Sequence, residues 1–227
     1  MINLVDIKLK NIDPDDIYHV LFKIEKSFDF KFGNTELKDV KTFGELCDII
    51  TTKVQGVNTP DCTTQQAFYK LRDALVTTCN VSKASIDSGA ELENLFPREN
   101  RQKQLRTLQN ILDVPLNILY IPKWLGRVIF VGVITSLGFF FVQWQYALLG
   151  LVSFSVAGMI SHKYFATEFE LVTVGELAEK ISRENYFKVR RNPQTLNSTE
   201  IEKIVIEFFS EELLLEKTNL SRDATFQ

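Results

Sequence analysis

Three cysteines and two histidines are the residues of this chain best suited to nucleophilic or metal chemistry, and their placement argues against both. Cys47, Cys62 and Cys79 have no histidine near them in sequence, so no local base can generate a thiolate. The spacing of Cys62 and Cys79 suits no metal motif, and His19 and His162 alone leave little material for a zinc site or a His-based triad. Cys47 and Cys79 sit among apolar positions and read as buried structural thiols, and an odd cysteine count fits a reducing, cytosolic compartment. The chain has no glycine-rich phosphate loop, no dinucleotide fingerprint and no His-x-x-x-His pair. No catalytic, cofactor or metal residue is therefore expected. What remains is ionic: Arg98, Arg101, Lys103 and Arg106 fall within nine residues, and Lys188, Arg190 and Arg191 within four. These are solvated faces carrying ordinary orientation signals, or contacts to anionic lipid, each then worth ~1 kcal/mol.

The elements that must position these cations come from composition. The chain has 227 residues, 45% hydrophobic and 24% charged, with a formal net charge of -3. That supports a packed core and argues against a dedicated nucleic-acid binder. The average hides a segment from Val128 to Ser161 without one Asp, Glu, Lys, Arg or His. Its thirty-four residues exceed the roughly twenty that one span needs, and Gln143-Trp144-Gln145 is its only polar cluster. The pattern predicts two helices, about 125–142 and 146–162, joined by a tight turn. Its eighteen Leu, Ile, Val and Phe residues favour insertion by something on the order of -7 kcal/mol. Trp124, Trp144, Tyr146 and Tyr164 are placed as interfacial anchors, and Lys123, Arg127 and Lys163 can snorkel. Positive charge flanks the outer ends and is missing from the turn, which predicts a transmembrane hairpin with both termini cytoplasmic. The first thirty residues carry no apolar signal region.

The rest reads as helices. Asp13-Pro14-Asp15-Asp16 caps and opens one whose apolar face is Ile17, Val20, Leu21, Ile24 and Phe28. Thr42-Phe43-Gly44-Glu45 is a capping box leading into Leu46, Ile49 and Ile50. Phe68, Leu71, Leu75 and Cys79 form a third stripe after Thr63 or Thr64, and Leu105, Leu108 and Leu112 a fourth in a basic helix from Arg98 to Leu112. Thr199-Glu200-Ile201-Glu202 boxes the last helix, with Ile201, Ile204, Val205 and Phe208 inward. Only Ile2 to Leu9 alternates as an extended arm would.

Two segments repeat. Thr42 to Ile50 (TFGELCDII) matches Thr173 to Ile181 (TVGELAEKI) at five of nine positions, and Ile86 to Leu92 (IDSGAEL) echoes Leu220 to Phe226 (LSRDATF). Two diverged copies of one helical unit account for both.

Within these copies, Phe22 to Phe30 followed by Val40 to Leu46 resembles the second half of an acyl carrier protein, and Ile201 to Phe226 resembles the first helix and the start of its long loop. Residues 63–120 resemble a first helix, loop and second helix, with Thr173 to Ile181 as the last helix beyond the hairpin. The resemblance implies mainly α architecture: small acyl-carrier-like bundles, one assembled from the two chain ends, plus the hairpin. It also implies a serine that takes phosphopantetheine at the start of the second helix. Pro14 occupies that position in the first copy, no serine lies from Gly89 through Arg106 in the second, and Phe226-Gln227 ends the last piece before the motif. The expected segments are 1–58, 59–122, 123–164 and 165–227. The expected function is a non-enzymatic, membrane-tethered scaffold that recruits a protein partner and holds no cofactor. A genuine carrier and a lipid-binding hairpin are the alternatives; the partners are the bilayer, a protein and a possible second copy, without nucleic acid.

Overall fold

Side-chain caps open several of the helices in the computed structural model, which describes residues 12–226 apart from the side chains of His162 and Lys163. The extended arm expected over 2–9 and the snorkelling of Lys163 lie outside the described residues. The architecture is mainly α, in two compact units: residues 1–73 with 177–227, and residues 74–176.

In the first unit, α1 (Pro14–Phe28) opens on Asp13, whose carboxylate accepts from the amide of Asp15. It closes on Asp29 in the left-handed region, φ 57°. The predicted face Ile17, Val20, Leu21, Ile24 and Phe28 is buried. The chain continues through α2 (Phe43–Val54), β1 (Val57–Asn58) and the start of α3 (Thr63–Cys79). It returns as the end of α8 (Val174–Glu184), α9 (Tyr186–Val189), β4 (Thr195–Leu196) and α10 (Ser198–Glu212). β1 pairs parallel with β4. The core joins α1, α2 and α10, and the Phe43 ring meets Phe209 edge-on at 5.3 Å and Phe226 at 6.2 Å. Ser27 links α1 to the α8–α9 junction, donating to the carbonyl of Arg183 and accepting from the amide of Tyr186.

Two expectations shift here. Asn197, not Thr199, caps α10, accepting from the amide of Glu200 at 3.2 Å. Glu200 is thereby free to cap a different helix: its carboxylate accepts the amides of Thr63 and Thr64, at 2.9 and 3.0 Å, at the start of α3. The buried face of α3 is Ala67, Leu71, Ala74 and Leu75, so Phe68 and Cys79 are only half-buried.

The second unit holds the end of α3, α4 (Leu92–Leu95), α5 (Arg101–Leu112), β2 (Leu119–Tyr120), α6 (Lys123–Gly138), α7 (Trp144–Phe165), β3 (Glu168–Phe169) and the first residues of α8. The antiparallel β2–β3 pair joins the two ends of the helical hairpin.

The sequence repeat extends to local geometry. α3 and α10 each lead to a residue of positive φ (Asn80, 54°; Leu214, 53°), a 3-10 turn (Lys83–Ser85; Lys217–Asn219) and a buried aliphatic residue (Ile86; Leu220). Three backbone bonds then clip the following strand to the capping box. In the first unit Phe43 N donates to Ala224 O, Gly44 N to Arg222 O and Phe226 N to Lys41 O, at 2.8–2.9 Å. In the second unit Val174 N donates to Ala90 O, Gly175 N to Ser88 O and Leu92 N to Val172 O, also at 2.8–2.9 Å. The echo of IDSGAEL with LSRDATF is this clip, and both TxGEL segments form complete boxes. α1 and α5 both end on a left-handed aspartate, and a side chain four residues before it binds the backbone seven residues ahead: Glu25 accepts from Phe32 N, and Gln109 donates to Leu116 O.

Candidate functional site

Glycine and serine at matched heights let the two hairpin helices approach closely. A Cβ on Gly132 would overlap the Phe154 ring, and one on Gly150 would overlap Ser136. Ser136 and Ala147, towards the tip of the hairpin, are buried. Ser136 returns its hydroxyl to Gly132 O at 2.8 Å, and Thr135 does the same to Val131 O, so neither leaves an unsatisfied donor in an apolar setting. Most of the remaining surface is exposed: only 6% of the span Lys123–Phe141 and 11% of Trp144–Ser161 is buried. Both helices are long and apolar enough to cross a membrane. At ~1.5 Å per residue they reach ~28 and ~33 Å, the first counting the 3-10 turn Phe139–Phe141 that replaces the last predicted helical residues. Phe141, 92% exposed, Trp144 and Tyr146 crowd the tip.

The base of the hairpin is held by α5. Arg101, expected as a lipid-facing cation, is instead 1% exposed. It shares its helical spacing with buried Leu105 and Leu108, and its guanidinium lies 4.4 Å from the Phe169 ring centre. It donates to Phe96 O at 3.0 Å, to Thr167 O, and to both carboxylate oxygens of Glu93 at 3.1 and 2.7 Å. That hydrogen bond holds the Glu93 carboxyl below the usual range. Gln102 adds a bond to Ala166 O at 2.9 Å, so consecutive residues of α5 fasten the chain as it leaves α7. Arg98 pairs with Glu168 at 2.6 Å. Lys103 and Arg106 stay exposed on α5, as do Lys123 and Arg127 on the first turns of α6.

Of the second basic group, Arg191 is exposed, while Arg190 is buried over the Phe187 ring at 4.6 Å with Nε unpartnered. Burial lowers the Arg190 pKa. Lys188 is exposed, and its carbonyl accepts from Lys70 at 3.1 Å. These three lie in the first unit.

The positions that the carrier resemblance assigns to the prosthetic group do not fit one. α1 opens on Asp13-Pro14-Asp15, and α5 on Asn100 after Pro97, so neither start offers a hydroxyl to esterify. Two of the cysteines are equally unsuited to nucleophilic work. Burial pushes the Cys47 thiol up to about 12 and that of Cys79 up to about 11. Cys62 is exposed, with Sγ 3.7 Å from Glu200, whose carboxylate is engaged in capping α3. Cys62 and Glu200 border a cleft of ≈ 360 Å³ whose other walls include Glu179, Arg183 and Lys203. Arg183 pairs with Glu211 at 2.5 Å. Among the described residues no group of His, Cys, Asp and Glu is placed to hold a metal.

Sequence reading missed the acceptor role of Glu200 in capping α3 and the inward turn of Arg101; the 101-105-108 spacing was the available signal for the second. Comparison with known protein families, with curated proteins and with solved structures finds no match.

Proposed function

We propose that this chain is a non-enzymatic membrane-anchored scaffold: α6 and α7 span the bilayer as a hairpin, and the helical units present a protein-recruiting surface on its cytoplasmic side. The observation that carries the reading is the exposure of two antiparallel apolar helices, each of about bilayer length, with aromatic residues at the tip and cations at the base. In water this surface would far exceed the apolar patches that soluble monomers tolerate. The β2–β3 pair brings both flanking segments out at the same end, which supports placing both termini on one side. The repeated helix, 3-10 turn, clip and capped helix support a carrier-like ancestry for the units. Pro14 at the start of α1, and the lack of a hydroxyl residue at the start of α5, support a unit that has given up carrying an acyl group. Tethering acts by effective concentration, keeping a bound partner close to lipid or to lipid-linked substrate.

Two measurements on the protein in its own membranes test this. Alkaline carbonate should leave it in the membrane fraction, and protease added to sealed vesicles should cleave both flanking regions from the same side. Release by carbonate refutes the anchor, and cleavage at the Phe139–Tyr146 turn and not at the flanks refutes the cytoplasmic placement of the helical units. A mass increase matching phosphopantetheine, lost on replacing one serine, would replace the scaffold by a working carrier.

A further inference from the structure

We infer that the base of the hairpin carries a binding site for anionic phospholipid headgroups, formed by Lys103 and Arg106 of α5 with Lys123 and Arg127 of α6. The inference rests on the bilayer-spanning reading of α6 and α7.

The site follows from how α5 is fixed. Gln102 and Arg101 bond to Ala166 and Thr167, immediately beyond the end of α7. The β2–β3 pair holds Tyr120 opposite Glu168, and Tyr120 O accepts from Thr167 N at 3.1 Å, three residues before α6 begins. The start of α6, the end of α7 and the first turn of α5 therefore share one level. Arg106 lies one turn after Gln102 on the same face of α5, with Lys103 beside it. Lys123 and Arg127 are likewise one turn apart on α6.

Availability separates Lys103 and Arg106 from the other two cations of the α5 cluster. Arg98 is neutralised by Glu168, and Arg101 is buried against Glu93, Phe96 and Thr167. Lys103, Arg106, Lys123 and Arg127 are exposed, and none pairs with a carboxylate among the described residues. Four unneutralised cations at the height where an apolar hairpin meets its headgroups fit a phosphodiester, and zwitterionic lipid satisfies them less well because its own cation competes. Each cation near an anionic surface favours it by about fivefold, so removing the α5 pair should lower the preference by up to about 25-fold.

Trp124, exposed beside Lys123, reports on this site. The full chain carrying Trp144→Phe, which leaves Trp124 as the sole tryptophan, is reconstituted in phosphatidylcholine vesicles with added phosphatidylglycerol. Brominated acyl chains are placed on one lipid or the other. Stronger quenching by brominated phosphatidylglycerol than its share of the lipid, weakened by salt and abolished in Lys103→Gln/Arg106→Gln/Lys123→Gln/Arg127→Gln, is the expected result. Equal quenching by both lipids overturns the site while leaving the hairpin in the bilayer. Quenching by neither overturns the hairpin reading, and the site with it. Preference that survives in the fourfold variant also overturns the assignment to these residues.

Discussion

Adding one methyl group to Gly44, and separately to Gly175, tests whether the two clips are the same device. A Cβ on Gly44 would lie 2.9 Å from Arg222 O and 3.1 Å from Arg222 Cβ; on Gly175 it would lie 2.8 Å from Ser88 O and 3.3 Å from Ser88 Cβ. The obstructing atom is in each case a backbone carbonyl that accepts the glycine's own N–H, so relief means moving the strand and stretching its clip bonds. Overpacking of this kind costs about 1–3 kcal/mol. Alanine regains up to about 1 kcal/mol of helix propensity, and less in a first turn, leaving a net loss of about 1–2 kcal/mol. Native-state hydrogen exchange reads this locally. Gly44→Ala should speed exchange of the amides of Phe43, Gly44 and Phe226 about five- to thirtyfold, and Gly175→Ala those of Leu92, Val174 and Gly175 by a similar factor. Gly89→Ala, whose Cβ meets nothing nearer than Asp87 Oδ1 at 3.6 Å, is the control and should leave exchange within about threefold. If both variants match that control, the close approach does not hold the clips. If only one responds, the two clips are not equivalent.

Other outcomes follow from the same contacts. Arg101→Met should cost about 2–4 kcal/mol in thermal unfolding in mild detergent, since it strands Phe96 O and Thr167 O, while Glu93→Gln, at a half-exposed carboxylate, should cost about 1 kcal/mol or less. Equal losses would place the stabilisation in the ion pair instead. Gly132→Leu should separate α6 from α7 and lower the melting temperature, whereas Gly138→Ala, with nothing within 4 Å, should not. At mildly alkaline pH a disulfide reagent should modify Cys62 first, with Cys47 and Cys79 slow because burial raises their pKa values; rapid loss of two thiols in Cys62→Ser would contradict this. The amides of Lys41 and Thr42 hold the Glu45 carboxyl below its ordinary value, and Arg101 does so for Glu93. Both groups therefore add stability at neutral pH that is lost as pH falls below the ordinary glutamate range and through their folded-state values. Glu45→Gln should flatten that acid limb of the stability curve, and an unchanged limb would exclude Glu45 as a contributor.

Local chemistry was the legible part of the fold. The Asp13 cap and the Thr42–Glu45 box each depend on residues within a few positions of one another, the two apolar helices on one uninterrupted charge-free run, and all stand close to where the sequence put them. The repeated TxGEL box was readable for the same reason. Its partner strand was visible only as a weak echo, because a clip made of backbone bonds constrains few side chains. Long-range choices were hidden. Glu200 sits at the right spacing to box its own helix yet caps α3, across 136 residues. Arg101 looks like its basic neighbours until Glu93, Phe96 and Thr167 surround it.

That the first unit takes its helices from both sides of the hairpin has a consequence for the order of synthesis. α1 and α2 leave the ribosome early, but the face they bury against Phe208, Phe209 and Phe226 stays uncovered until residues 198–226 have been made. By then α6 and α7 have emerged, and the clip on α8 can close from residues 88–92 and 172–175 alone. A nascent chain thus carries a finished half and a waiting half. The waiting half displays Ile17, Ile24, Phe43 and Ile50, the surface that chaperone holdases bind and that mispairs between neighbouring chains on a polysome.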